Sequence, residues 1–157
     1  MDCETSGPVV MDREQIKELI PHRDPFLFVD RVVELTDEAI TTEWDVDPAA
    51  AFFQGHYPGD PIVPGVLLNE FVFQSAAVFM SKTLAGDLGA GAVPVLTRIE
   101  DARFKQIVRP GEVVRAVVTL TDRVGPACYM KAQITANGKK AVRLSFVVAL
   151  TNPGGSQ

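Results

Sequence analysis

The stretch Phe53 to Gln74 sets one histidine, His56, and one carboxyl, Glu70, on either side of a loop dense in glycine and proline. Imidazole is the side chain best matched to take a proton near neutral pH. Glu70 stands about five residues, roughly 7.5 Å, into a segment that is otherwise almost wholly apolar. A carboxyl in such surroundings must find a partner or take up a proton, because desolvation disfavours its charged form. A protonated carboxyl is a general acid, so the pair supplies a base and an acid. Gln74 follows Glu70 by one helical turn on the same face, placed to orient the carboxyl by a hydrogen bond. After Pro64 the free backbone N–H groups of Gly65 and Val66 point out of the helix start with partial positive charge. They suit a carbonyl oxygen on which negative charge develops, as when a proton α to a thioester is removed, and Gly65 lets a ligand approach the backbone closely. The set fits an α,β-elimination or the reverse hydration, with no metal, cofactor or nucleotide required.

Each residue also has a plain structural reading. A lone histidine after a glycine is commonly a turn or packing residue, and a buried glutamate can simply bond to backbone. His22, between Pro21 and Arg23, reads as structural, bonding a turn or the neighbouring Asp24, while Asn69 and Ser75 read as interface or helix-packing residues.

The elements that must hold these groups follow from pattern. Ile16, Leu19 and Ile20 recur at helical spacing from Asp12 to Ile20, with Asp12 as N-cap and Pro21 as stop. Phe26 to Leu35 and Ala39 to Val46 are rich in β-branched and aromatic residues and read as two strands. Gly55, Pro58, Gly59, Pro61, Pro64 and Gly65 exclude regular structure and fix a loop. Val66 to about Leu84 then forms a helix apolar on nearly every face, which something must wrap. Strand-like runs at Val93 to Glu100, Ala102 to Val108, Glu112 to Val124, Ala127 to Ala136 and Ala141 to Leu150 supply the wrapping, with Asn137-Gly138 as a hairpin turn. The expected architecture is α+β: one curved, mostly antiparallel sheet around a long hydrophobic helix. A remaining exposed edge or face calls for a second copy, giving a homo-oligomer built on a C2 dimer.

Composition bounds the rest. The 157 residues, 46% hydrophobic and 22% charged, describe a single domain over 1–157, with ends at 1–9 and 152–157 expected to be frayed. A net charge of −5 excludes a general nucleic-acid binder, which needs a basic excess. No apolar run reaches a membrane span, and Met1 to Val10 lack the basic start and apolar core of a signal peptide. Cys3 and Cys128 make no Cys-x-x-Cys, and with two histidines neither a disulfide framework nor a zinc site is expected. A reducing cytoplasm is the expected setting.

The sequence resembles the β-hydroxyacyl-[acyl-carrier-protein] dehydratases of type II fatty acid synthesis, the FabZ type, whose fold is the hot dog. Three segments carry the likeness: Pro21-His22-Arg23-Asp24-Pro25-Phe26-Leu27-Phe28-Val29-Asp30-Arg31; Gly55-His56-Tyr57-Pro58 through Glu70 and Gln74; and Ala102-Arg103-Phe104-Lys105 with Arg109-Pro110-Gly111-Glu112. They span about Ile16 to Leu150 in the family's order and spacing. The resemblance implies that His56 and Glu70 are the catalytic pair, that each site joins His56 of one subunit to Glu70 of its partner, and that the Gly65 amide holds the thioester carbonyl. It implies an acyl carrier protein as the partner that brings the substrate, and a homodimer that the family often builds into a trimer of dimers. The related dehydratase/isomerases carry aspartate at the position of Glu70, so the resemblance also implies dehydration without double-bond isomerisation. Two departures stand out. Tyr57 replaces the usual Phe, and Phe71 and Phe73 replace small residues, so their rings are expected to narrow or shorten the acyl tunnel. Arg98, Arg103, Lys105 and Arg109 form the densest basic cluster and are the expected landing place for an acidic carrier. Two other functions fit such a pocket: a hot-dog acyl thioesterase, and a non-catalytic module that binds acyl carriers or lipids.

Overall fold

The computed structural model describes residues 8–86 and 91–151. The expected frayed segments thus lie mostly outside the described residues, as does Cys3. Helix α1 (Arg13–Leu19) opens the fold, and Asp12 caps it reciprocally with Gln15. Strands β1 (Arg31–Leu35) and β2 (Ala39–Asp45) follow, then a 3-10 turn at Ala51–Gln54 and the long helix α2 (Gly65–Thr83). Strands β3 (Val93–Phe104), β4 (Val113–Val124), β5 (Ala127–Ala136) and β6 (Lys139–Thr151) complete the chain. All six strands form one antiparallel sheet in the order β1-β2-β4-β5-β6-β3.

Alternation along the central strands explains the wrap. On β4 and β5 the residues Val114, Ala116, Val118, Met130, Ala132 and Ile134 are buried, which is the period-two signature of one face turned to a core. On α2, Phe71, Val72, Ala76, Val78, Phe79 and Met80 have no exposed surface. Sheet and helix share a single core cluster, as the hot-dog arrangement requires. Burial of about 1.5–3 kcal/mol per large side chain makes this contact the main source of stability.

Two sequence expectations need correction. Only Arg31–Leu35 of the Phe26 to Leu35 run is strand. Its first three residues spend backbone groups on side chains: Gln74 takes both Phe26 O and Phe28 N, and Arg13 takes Leu27 O. The runs Val93 to Glu100 and Ala102 to Val108 are one continuous strand, β3, ending at Phe104, whose register shifts between Leu96 and Arg98 and again between Glu100 and Arg103. Asp101, with φ 49°, marks the second irregularity. The Asn137-Gly138 turn is as expected, with φ of 51° and 72° at its two central residues, the signature of a type I′ hairpin.

A charge network fixes the Phe26–Phe28 segment beside α2. Arg13 pairs with Asp24 and, at 2.7 Å, with Asp30, whose other oxygen accepts the Asp45 amide at 2.7 Å. Burial pushes the Asp30 carboxyl up, opposed by the Asp45 amide and by Arg13. Arg31 grips Asp45 through two bonds of 2.8 Å and holds its carboxyl below the usual range.

Candidate active site

His56 is placed by the loop that the sequence marks with glycine and proline. The loop is tied down by Val63 N to Val108 O at 2.8 Å and Asp60 N to Tyr57 O at 2.9 Å, and by an ion pair of 2.5 Å between Arg109 and Asp60. Tyr57 takes a φ of 55°, costly for a bulky residue, and its ring meets the imidazole edge-on at 4.8 Å. His56 Nδ1 lies 2.9 Å from the Ile62 carbonyl oxygen. A carbonyl only accepts, so Nδ1 carries the proton and Nε2 keeps a free lone pair. That is the tautomer a base would need.

Glu70 sits on the second turn of α2 and is not sunk in grease: 24% of its side chain is exposed. Gln74, fully buried, donates to Glu70 Oε1 at 3.1 Å. The orientation of that amide is fixed, because Gln74 Oε1 accepts the Phe28 N–H at 2.8 Å and Nε2 donates to Phe26 O at 2.7 Å. The expected i, i+4 pair is therefore present and anchored 46 and 48 residues away in sequence.

Pro64 caps α2 without a side-chain bond, and its carbonyl accepts from Leu67 at 3.0 Å and Leu68 at 3.3 Å. Among the described residues the amides of Gly65 and Val66 have no acceptor, so the helix start offers two unspent donors. A methyl group on Gly65 would come within 2.9 Å of Phe104 Cε1, so the Phe104 ring packs close beside the Gly65 Cα.

The other expected site residues are distributed as follows. Phe71 has no exposed surface and packs tilted against Trp44 with ring centroids 5.7 Å apart, which makes it a core side chain in this conformation. Phe73 is half-buried against Phe146 at 5.2 Å. Of the four basic residues, Arg98 pairs with Glu100, Arg103 with Asp101 and Arg109 with Asp60; the Lys105 ammonium forms no ion pair among the described residues. Ser75 bonds Phe71 O and Thr42, a packing role, whereas Asn69 Oδ1 is buried with no partner among the described residues.

Two residues outside the expected set lie against residues within it. One is Phe104. The other is His22, which bonds neither Asp24 nor a turn but lies with Nε2 3.6 Å from Glu70 Oε1. No short-range pattern signals a pairing across 48 residues; the one clue was a histidine set between Pro21 and Arg23 in the segment that resembles the family's opening.

Within one protomer no hydrogen bond or ion pair joins His56 to Glu70 among the described residues. Two cavities of about 490 and 660 Å³ are lined by other residues. No group of three or more His, Cys, Asp or Glu among the described residues could hold a metal, and no described helix is long and apolar enough to cross a membrane.

Comparison with known proteins shows the family. Residues 20–145 match the family model described as a FabA-like domain. The chain is 41% identical over 138 residues to a 3-hydroxyacyl-[acyl-carrier-protein] dehydratase FabZ of Clostridium acetobutylicum, covering 86% of this chain and 96% of that one. It is 37% identical over 146 residues to the protein of the same name from Lactiplantibacillus plantarum, covering 91% and 97%. Among solved structures, the dehydratase heterocomplex ApeI:P from Xenorhabdus doucetiae superposes with a TM-score of 0.74 at 16% identity, over 88% of this chain and 91% of that one. A hypothetical thioesterase from Streptococcus pneumoniae, solved with coenzyme A, gives 0.58 at 15% identity over 77% and 84%. At such identities these two speak for the fold.

Proposed function

The chain belongs to the FabA-like domain family and dehydrates 3-hydroxyacyl thioesters of acyl carrier protein in fatty acid biosynthesis, and we propose that His56 and Glu70 carry out this step across a dimer interface. The observation that carries the assignment is the His56 Nδ1 bond to the Ile62 carbonyl, which leaves Nε2 as a base. His56 Nε2 takes a proton from the carbon α to the thioester, and the electron pair moves toward the carbonyl. The Gly65 amide stabilises the oxygen on which charge collects. Glu70 gives its proton to the β-hydroxyl, the C–O bond breaks, water departs and a trans-2-enoyl thioester remains. Proton return from His56 to Glu70 through the released water restores both groups. The test is loss of water from a β-hydroxyacyl thioester, followed by mass. Free thiol release from a saturated acyl thioester would instead mark a thioesterase.

A second subunit supplies what one protomer lacks. Strand β3 is a sheet edge of 12 residues, and Val93, Val95, Leu96, Ile99 and Phe104 on it are exposed. A long, apolar, unpaired edge calls for a covering chain. Pairing of β3 with its own copy fits C2 symmetry, since one antiparallel strand pair is self-complementary. Asn69 Oδ1, next to Glu70 in sequence and buried with no partner among the described residues, is a second group awaiting a donor. His56 of one protomer then meets Glu70 of its partner at the composite site, with Phe73 at the acyl tunnel. Three such dimers would give the larger assembly. Substrates delivered on a carrier, and the buried free thiol of Cys128, suit the cytoplasm.

Gly65→Ala tests the oxyanion contact. The added methyl must push aside the half-exposed Phe104 ring, a small cost to folding, and alanine is the better helix former. Thermal unfolding is expected to stay near the parent while kcat/KM falls about 10-fold or more, because the carbonyl no longer reaches the amide. An unchanged kcat/KM would show that no ligand approaches this backbone.

Carrier docking draws on Lys105, and on Arg98, Arg103 and Arg109 once their exposed acidic partners are exchanged. Exposed pairs are worth little in water, so an acidic carrier can compete for them. Reversing charge at Arg103 and Lys105 is expected to raise KM for carrier-bound substrate several-fold and to leave KM for a thioester lacking the carrier unchanged. Equal effects on both substrates would place the docking surface elsewhere.

A further inference from the structure

Dehydration as drawn leaves one histidine without a task. His22 lies in the turn after α1, its Nε2 3.6 Å from Glu70 Oε1, with 27% and 24% of the two side chains exposed. Its Nδ1 is buried and has no partner among the described residues. Neighbouring charges are spent elsewhere. Arg23 donates to the carbonyls of Ile20, His22 and Lys17, and Asp24 is paired with Arg13.

The hydrogen-bond bookkeeping around Glu70 decides what His22 does. The Phe28 N–H can only donate, so Gln74 must turn its oxygen to Phe28 and its amide nitrogen to Phe26 O and Glu70 Oε1. Glu70 Oε1 is thereby an acceptor. An imidazole facing that same oxygen is accommodated as a donor, with hydrogen on Nε2. The opposite tautomer would set two acceptors against each other and bury an N–H at Nδ1 without an acceptor, and an imidazolium would bury that same N–H. With Oε1 taking two donors, the acid proton of Glu70 is confined to Oε2.

We propose that His22 is a positioning residue for the dehydration: as a neutral imidazole protonated on Nε2, it joins Gln74 in holding Glu70 Oε1, so that Oε2 presents its proton to the β-hydroxyl of the substrate. This rests on the reading of Glu70 as the acid. At 3.6 Å the contact is longer than a hydrogen bond and closes when substrate fills the site, as contacts around catalytic groups commonly do.

The experiment compares the full-length parent with His22→Ala, His22→Gln and Glu70→Gln, measuring kcat and KM for a β-hydroxyacyl thioester and the thermal unfolding midpoint of each. Glutamine can place an amide N–H near the position of Nε2. His22→Ala is expected to lower kcat about 10-fold with KM little changed, and His22→Gln to recover most of that loss. Two-bond proton–nitrogen correlation spectra of the parent are expected to show His22 as the neutral Nε2–H tautomer. A parental kcat in His22→Ala overturns the inference. So do equal losses in both His22 variants, which would mark His22 as a packing residue, and so does a His22 protonated on Nδ1. Glu70→Gln separates the two readings. If it turns over at the parental rate, the acid assignment itself fails; if it is inactive while His22→Ala is not, only the role of His22 falls.

Discussion

Glu70→Gln is expected to lower kcat for dehydration by about 10²–10⁴-fold, with KM and unfolding midpoint close to the parent. Glutamine keeps the size of the side chain and an oxygen able to accept from Gln74, whose bond at 3.1 Å holds the carboxyl in place. What it lacks is a proton to give to the departing hydroxyl. His56→Ala removes the proposed base and is expected to cost about as much, since elimination needs both transfers. Mixing the two inactive variants tests where the groups meet. On the proposed shared site, a mixed dimer sets the intact His56 of the Glu70→Gln chain against the intact Glu70 of the His56→Ala chain, so one site of two is whole. Random exchange of subunits then returns about a quarter of parental activity. A mixture that stays inactive after proven exchange would place both groups of each site in one chain. Parental turnover in either single variant would remove that residue from the chemistry.

Local signals in the chain carried the elements whose bonds are local. Asp12 and Gln15 cap each other within one turn, and Asn137-Gly138 closes its hairpin with two positive φ values, so both were legible from neighbouring residues. Helix α2 announced itself by the length of its apolar run, and the loop before it by proline and glycine. The failures share a different cause. Phe26 to Phe28 has the composition of a strand, but strand pairing loses there to Gln74 and Arg13, whose side chains arrive from two helices. The acidic Glu100-Asp101 step looks like a break between strands, yet bulges let β3 continue because β6 lies beside it all the way from Val142 to Thr151. At the site, the Glu70 and Gln74 pair follows from helical periodicity, whereas His22 and Phe104 enter only through tertiary packing. Residues that complete a site from far along the chain leave no periodic trace.

Gln74→Leu is expected to injure folding and turnover together, which Glu70→Gln does not. Leucine has nearly the volume of glutamine, so the buried position stays filled. The polar bonds are lost: Phe28 N–H, at 2.8 Å from Gln74 Oε1, is buried and would have no partner, and Phe26 O, at 2.7 Å from Nε2, is part-buried. At about 1–3 kcal/mol for each unsatisfied group, with the Phe26 carbonyl at the low end because water can reach it, the expected loss is about 2–4 kcal/mol. Urea unfolding should show it as a lower midpoint at an unchanged slope. Kinetically, Glu70 Oε1 loses its donor from below while the Phe26–Phe28 segment loosens beside it, so kcat should also fall, by about 10-fold or more at temperatures where the variant is folded. A variant that unfolds at the parental midpoint would mean that the segment re-pairs its backbone elsewhere. One that unfolds early yet turns over at the parental rate when folded would mean that the carboxyl holds its geometry without the amide. The expected coincidence of both losses follows from a single side chain that spends its oxygen on the fold and its nitrogen on fold and chemistry at once.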